Sequence, residues 1–238
     1  MAWFPPLRSR QRQAEWMDDP AADPGDLRRS LAYIRRINTL LGYTRASVGH
    51  LRRFSRNWRP GETIRILDVA TGSADIPRAI LRWADRKGFD LRIVAVDRHA
   101  VTASAAALAT TDPRLQIVQA DVFDLPFPPG SFDYALTAMF LHHLDEAQIV
   151  EVLRTMDRLA TRGIVVADLL RHYRAYAWIT LFTALANPMV RHDAKVSVAQ
   201  ALSRQEVLEL RDQAAINYVR YDEHFGHRFV LAGEKDGR

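Results

Sequence analysis

The 238-residue chain contains no cysteine, which excludes a disulfide scaffold, a thiolate nucleophile, an iron–sulfur cluster and any Cys-based zinc site. Long apolar runs are also missing. Stretches such as Ala175 to Phe182 fall well short of the ~20 residues needed to cross a bilayer, so no integral membrane association is expected and only a peripheral contact stays open. The first ten residues lack the uninterrupted apolar segment of a secretory signal, and a cytoplasmic location is the expectation. Lysine is scarce, since only Lys87, Lys195 and Lys235 among the 33 basic residues are lysine. What is present, 48% hydrophobic and 26% charged residues, suffices for one sizeable core or one domain with an added lid.

The net charge of +5 is unevenly placed, for residues 1–60 carry 12 arginines against 5 carboxylates while the rest carries 21 basic and 23 acidic groups. Such an N-terminal surplus could attract nucleic acid, an anionic membrane surface or an acidic substrate, although a solvated helical face is the simpler explanation.

Residues 1–25, with Pro5, Pro6, Pro20, Pro24 and Gly25, read as an irregular arm. Apolar residues at Leu27, Leu31, Ile34, Ile37, Leu40 and Leu41 make one amphipathic helix, ended by Gly42; Val48, Leu51, Phe54 and Trp58 make another, stopped by Pro60-Gly61. Residues 1–60 are therefore expected to form an arm and helical lid ahead of a main domain over 61–238.

After Gly61, short apolar runs alternate with helical segments. Ile64–Ala70, Leu91–Asp97, Leu115–Ala120, Phe132–Met139 and Gly163–Asp168 are strand-like, with helix-like Ile76–Arg86, His99–Ala109 and Glu146–Leu159 between them. Later come a helix near Tyr173–Ala186, a loop Asn187–Leu202, a helix Arg204–Gln213 and strands near Ile216–Tyr221 and His227–Ala232. The pattern predicts an α/β fold, a doubly wound, Rossmann-like, seven-stranded and mostly parallel sheet with helices on both faces. The segment at about 171–202 is expected to cover an acceptor. The 173–186 helix is apolar nearly all round, which predicts burial on several sides.

Ligands of such sheets bind outside the carboxyl ends of the strands. The turn from Asp68 through Ala70, Thr71 and Gly72 to Asp75 is the first candidate, because its small residues let the backbone approach a ligand. A dinucleotide frame set on Gly72 puts Ala70 at the first glycine and Asp75 at the third, where a carboxylate repels pyrophosphate; a cationic or zwitterionic ligand suits Asp68 and Asp75 better. Asp97, at the tip of the second strand, is placed to accept both hydroxyls of a ribose, or else to cap the next helix. Asp121 and the Val122 backbone N–H are placed to meet an adenine edge, with Asp124 near enough to compete.

The segments ILDVATGSAD, VAVD, QADVFDLPFPPGSFDYAL and FLHHL resemble, in order and spacing, the motifs of class I S-adenosylmethionine-dependent methyltransferases. Within that group they look closest to the ubiquinone/menaquinone-biosynthesis C-methyltransferases and related small-molecule O-methyltransferases. The resemblance is strong over about residues 62–170; beyond it, Asp168 to His172 and Arg191 to Asp193 with Ser197 look like bacterial enzymes of polyketide or phenolic-lipid pathways. It implies S-adenosylmethionine as cofactor and S-adenosylhomocysteine as product, with Asp68, Ala70 and Gly72 around the methionine end, Asp97 at the ribose, and Asp121 with Val122 at the adenine. Ala70 and Ala74 stand where glycines are common, and Arg98 where an apolar residue often packs on adenine, so its guanidinium is expected to stack there.

A phenolic acceptor must lose a proton, and His143, His142 and Asp168, after the fourth and fifth strands, are the candidates to take it, with a preference for His143. Arg171, His192 and Asp193 are candidates for the acceptor side. No metal ligand set stands out. The function expected is O-methylation of a small aromatic or polyketide-derived acceptor. C-methylation of a quinol, RNA methylation, and a cofactor-binding module without turnover are the rivals. Amino methylation of bases is disfavoured, because Thr137-Ala138-Met139-Phe140 stands where its Asn/Asp-Pro-Pro-aromatic motif would fall.

Overall fold

The computed structural model describes residues 7–19, 21–40 and 42–235; Leu41 and the prolines at positions 5, 6 and 20 lie outside them. Strands β1 (Thr63–Val69), β2 (Asp90–Asp97), β3 (Leu115–Gln119), β4 (Phe132–Ala138) and β5 (Ala160–Leu169) are parallel, β7 (Arg228–Glu234) is antiparallel to β5, and β6 (Arg220–His224) pairs with β7. Their order is β3-β2-β1-β4-β5-β7-β6. Helices cover both faces of β4, so its residues are buried from Phe132 to Thr137, as a strand without polar alternation requires.

Local signals set the helix ends. Helix α1 (Pro24–Leu40) is separated from α2 (Tyr43–Phe54) by Gly42 at φ 86°, and α3 (Asp75–Lys87) ends on Gly88 at φ 71°. After α4 (Ala100–Leu108), α5 (Glu146–Leu159) opens with a capping box between Asp145 and Gln148. Beyond β5 follow α6 (Tyr173–Phe182), α7 (Pro188–Gln200) and α8 (Arg204–Gln213), the last with a Ser203–Glu206 box.

Four features differ from the expectation. The predicted loop Asn187–Leu202 is α7, because the Asn187 side chain accepts from the Val190 N–H and Pro188 takes the first helical position, where its missing N–H costs nothing. The late strand shifts to Arg220–His224: Ile216 and Val219 sit buried in the turn before it, while the polar Arg-Tyr-Asp-Glu-His run forms the sheet edge. Helix α2 belongs to the core rather than to a lid, for Leu51, Phe54 and Trp58 pack with Trp83 and Tyr134 on one face of the sheet. There the Trp58 Nε1–H donates to the Tyr134 hydroxyl at 2.9 Å, and that hydroxyl donates to Glu234 at 2.7 Å. Finally, α6 is not buried on several sides, since Trp178, Leu181 and Phe182 are largely exposed.

Candidate active site

A cavity of about 910 Å³ opens at the carboxyl ends of β1, β2 and β4, roofed by the arm, α1, α6 and the β6–β7 turn. All the residues expected at the cofactor line it: Asp68, Ala70, Thr71, Gly72, Asp75, Asp97, Arg98, Asp121 and Val122.

The β1–α3 turn is wound through three left-handed residues, Ala70 (φ 55°), Gly72 (φ 56°) and Ala74 (φ 53°). Only glycine takes this conformation without cost, which accounts physically for the glycines common at such positions; alanine there holds strain of ~1 kcal/mol or more. A side chain at Gly72 would point into open space. The Asp97 carboxylate accepts from the Gly72 N–H at 2.8 Å and the His99 N–H at 2.9 Å, so it ties the turn to the tip of β2 and is not the N-cap of α4, which is His99. The Asp121 side chain accepts from the Phe123 N–H at 3.1 Å.

Three carboxylates crowd this end. Burial, with Asp75 and Asp97 nearby, pushes Asp68 up to about 7; burial also raises Asp97, against hydrogen bonds from His99 and Gly72. Asp75 accepts from the Ser73 hydroxyl through Oδ1 at 3.0 Å, while its Oδ2 is buried with no hydrogen-bond partner among the described residues. An anionic wall with an orphaned carboxylate oxygen fits the ammonium and sulfonium of S-adenosylmethionine and opposes a pyrophosphate.

At the other end stand the histidines. The His142 Nδ1–H donates to Asp168 Oδ1 at 2.7 Å, the His142 backbone N–H to Oδ2 at 3.1 Å, and the Leu169 N–H to Oδ1 at 2.7 Å. Burial works against the charged form of Asp168, but His142 and these donors outweigh it and hold its carboxyl below the usual range. Asp168 does not line the cavity; it sits behind His142, whose Nε2 lies 3.7 Å from Glu15 Oε1. Glu15 in turn accepts from the Ser197 hydroxyl at 2.6 Å and Gln200 Nε2 at 3.0 Å, and burial raises its pKa despite both histidines. The His143 Nδ1–H donates to Asp18 at 2.9 Å; burial opposes its charge, yet Asp18, Glu15 and Asp168 together raise it to about 9. Glu15, His142 and His143 each offer one ligand-type atom within 4.8 Å of the others.

Sequence reasoning missed Glu15 and Asp18. Both sit in a proline-bounded arm far from residue 142, and nothing local marks them as partners.

The acceptor-side candidates are not brought to the cavity. Arg171 makes a two-pronged ion pair with Glu206 at 2.9 Å and donates to the Leu7 and Ala201 carbonyls. Asp193 is buried on α7 and accepts from the backbone N–H groups of Trp16 and Met17 at 2.8 and 2.9 Å, while His192 donates to Asp193 and stacks on Trp16 at 4.2 Å. These residues fasten the arm. For His192 and Asp193 a loop placement suggested contact with the acceptor; α7 turns them toward the arm instead.

Residues 66–163 match a family described as a methyltransferase domain. Ribosomal RNA small subunit methyltransferase H of Nostoc punctiforme is 32% identical over 126 residues, covering 48% of this chain and only 40% of that relative's length. Among solved structures, the plantazolicin methyltransferase BpumL, in complex with a triazolic desmethylPZN analog and SAH, has a TM-score of 0.70 at 12% identity, with 94% of this chain and 93% of that chain covered. A SAM-dependent methyltransferase from Aquifex aeolicus has a TM-score of 0.54 at 16% identity, covering 89% and 98%. Residues 66–163 therefore carry a methyltransferase domain, and the described chain has the fold of S-adenosylmethionine-dependent methyltransferases, with carboxylates on consecutive strand tips.

Proposed function

We propose that the chain methylates a phenolic oxygen of a small aromatic, polyketide-derived acceptor. One observation carries this reading: a buried histidine, His142, lines the cavity with its Nδ1 held 2.7 Å from the Asp168 carboxylate, an arrangement that orients Nε2 as a proton acceptor. S-adenosylmethionine supplies an electrophilic methyl group on a cationic sulfur. Asp68, Asp75 and Asp97 hold the charged and hydroxylic ends of that molecule. With acceptor and methyl donor bound, His142 Nε2 would take the phenol proton as the oxygen is methylated, and Asp168 would stabilise the resulting imidazolium. His143, held as an imidazolium by Asp18, has no lone pair to offer near neutral pH, so the base is assigned to His142 rather than to its neighbour.

The arm and α1 close the acceptor end. Leu27, Leu31, Ile34 and Ile37 of α1 supply apolar wall to the same cavity as Trp178 and Phe182 of α6, which suits a flat or long acceptor. Incubation with phenols, resorcinols and quinols and labelled cofactor, with product regiochemistry read by mass spectrometry and NMR, tests the assignment. O-methyl products are expected; C-methyl products alone would overturn it. RNA is the second reading, favoured by the ribosomal RNA methyltransferase relative and the arginine-rich first 60 residues. Label transferred to RNA, with steeply salt-dependent retention, would support that instead.

A further inference from the structure

Helix α6 and the segment after it carry an unusual surface. From Ala175 to Val190 there is no charged residue, and Arg174 and Arg191 stand exposed at the two ends. Trp178, Leu181, Phe182 and Leu185 follow one another at helical spacings and face solvent, Leu181 at 67% exposure. Tyr173, in the first turn of the helix, is exposed as well. Next to it, His172 stacks on His227 at 4.4 Å, which brings the β6–β7 turn alongside, with Phe225 at its tip 92% exposed. No carboxylate occurs between Asp168 and Asp193, and both of those are buried. Glu223, near the turn, is engaged by the Tyr221 hydroxyl at 2.9 Å and lies 3.9 Å from Arg204.

The cationic border continues on α1. The Tyr33 hydroxyl donates to the Phe182 carbonyl at 2.8 Å and Asn187 donates to Ser30 at 3.1 Å, so α1 lies against the end of α6. Arg29 and Arg36, one turn to either side of Tyr33, share its face of the helix and are exposed, Arg29 in a pair with Asp26. Trp178, Phe182 and Phe225 belong both to this surface and to the cavity wall. The apolar patch is therefore the rim of the active-site opening.

We propose that this face seats the protein on an anionic bilayer and that the acceptor is a long-chain phenol drawn directly from the membrane into the cavity. Aromatic and aliphatic side chains without charge, bordered by arginines, match the acyl boundary and headgroup layer of such a surface. A second copy of the chain is a poorer occupant, because a two-fold contact would set the same arginine borders against each other. The seating stands on the surface alone; the identity of the acceptor rests on the phenolic reading above.

The test is co-sedimentation of the full chain with phosphatidylcholine vesicles, with and without phosphatidylglycerol, beside Leu181→Gln/Leu185→Gln and Arg174→Gln/Arg191→Gln variants. Leu181 and Leu185 do not line the cavity, and being exposed they should not disturb folding, which a melting curve checks. Wild type should pellet with the anionic vesicles and be released by salt; the leucine variant should bind at least about tenfold more weakly, and the arginine variant should lose its preference for phosphatidylglycerol. Wild type that ignores both vesicles overturns the seating, as does a concentration-dependent dimer that the leucine changes dissolve. Methylation of a short, water-soluble phenol is read separately and should be equal in wild type and the leucine variant. Vesicle binding without any phenol turnover would remove the phenolic acceptor and leave the seating in place.

Discussion

Replacing His142 by Gln removes the imidazole nitrogen that accepts the phenol proton and leaves a side chain that is not a base. A fall in kcat of ~10²–10⁴-fold is expected, with calorimetric affinity for the cofactor near wild type. His143→Gln should act differently, lowering kcat less and raising KM, because it breaks the tie to Asp18 and not the proton path. Near-normal kcat in His142→Gln across pH 6–9 would falsify the histidine mechanism. At the other end of the cavity, Asp97→Ala should cost ~1.5–3 kcal/mol of cofactor binding by calorimetry. Asp97→Asn should recover less than half of that, since an amide cannot accept from Gly72 and His99 as a carboxylate does. Ala70→Gly should raise unfolding free energy by up to ~1 kcal/mol in denaturant titration, the relief at φ 55° being partly offset by the freer unfolded chain.

The arm from Leu7 to Asp19 has no regular structure beyond one short 3₁₀ turn, yet it is fastened at many points. Arg10 alone donates to the carbonyls of His142, Leu144 and Gln200 and pairs with Glu146 at 2.8 Å. Asp193→Ala should therefore release the arm around Trp16 and Met17, seen as faster proteolysis near those residues and a raised KM with the sheet still folded. The His143–Asp18 tie adds a pH dependence. Raised from 6.5 to about 9, His143 contributes stability that is complete below about 6.5 and is lost as pH rises through about 9, so arm protection from hydrogen exchange should fall in that range. The alternation of strands and helices after Gly61 was legible in the sequence because buried parallel strands leave apolar runs such as Ile164 to Ala167. The strand tips were legible too, since topology fixes where Asp68, Asp97 and Asp121 must stand. The arm was not: Glu15 and Asp18 reach the histidines across more than 120 residues of chain, and no periodicity records such a contact. Helix α6 misled for a related reason, because an apolar surface meant for another phase reads in sequence like a buried one.

Across the molecule, α2 and the β6–β7 hairpin meet through His50, buried beside His224 at 3.5 Å and within 3.9 Å of Asp222. Burial, with Arg53 and His224 adding to it against Asp222, lowers His50 to about 4. A histidine held neutral in the folded state contributes stability above about 6.5 that is lost as pH falls through about 4. Thermal unfolding should show wild type losing stability, of order 2 kcal/mol, between those limits, and His50→Gln losing less. Deleting residues 1–60 removes α2 with the arm and should unfold the domain, whereas deleting 1–19 should leave a folded protein with an open acceptor end, distinguished by circular dichroism and by cofactor affinity that survives only in the shorter deletion.

The Asp68 carboxyl, poised at about 7, makes binding a proton exchange. In the empty site near neutral pH a fraction of molecules carry the proton, and the arrival of a cation at that wall expels it. Affinity for the cofactor should then climb with pH up to about 7 and level off above it. The heat of binding should vary with the ionisation enthalpy of the buffer, larger in phosphate-to-Tris comparison for wild type than for Asp68→Asn, and the slope of that dependence counts the protons released per molecule bound.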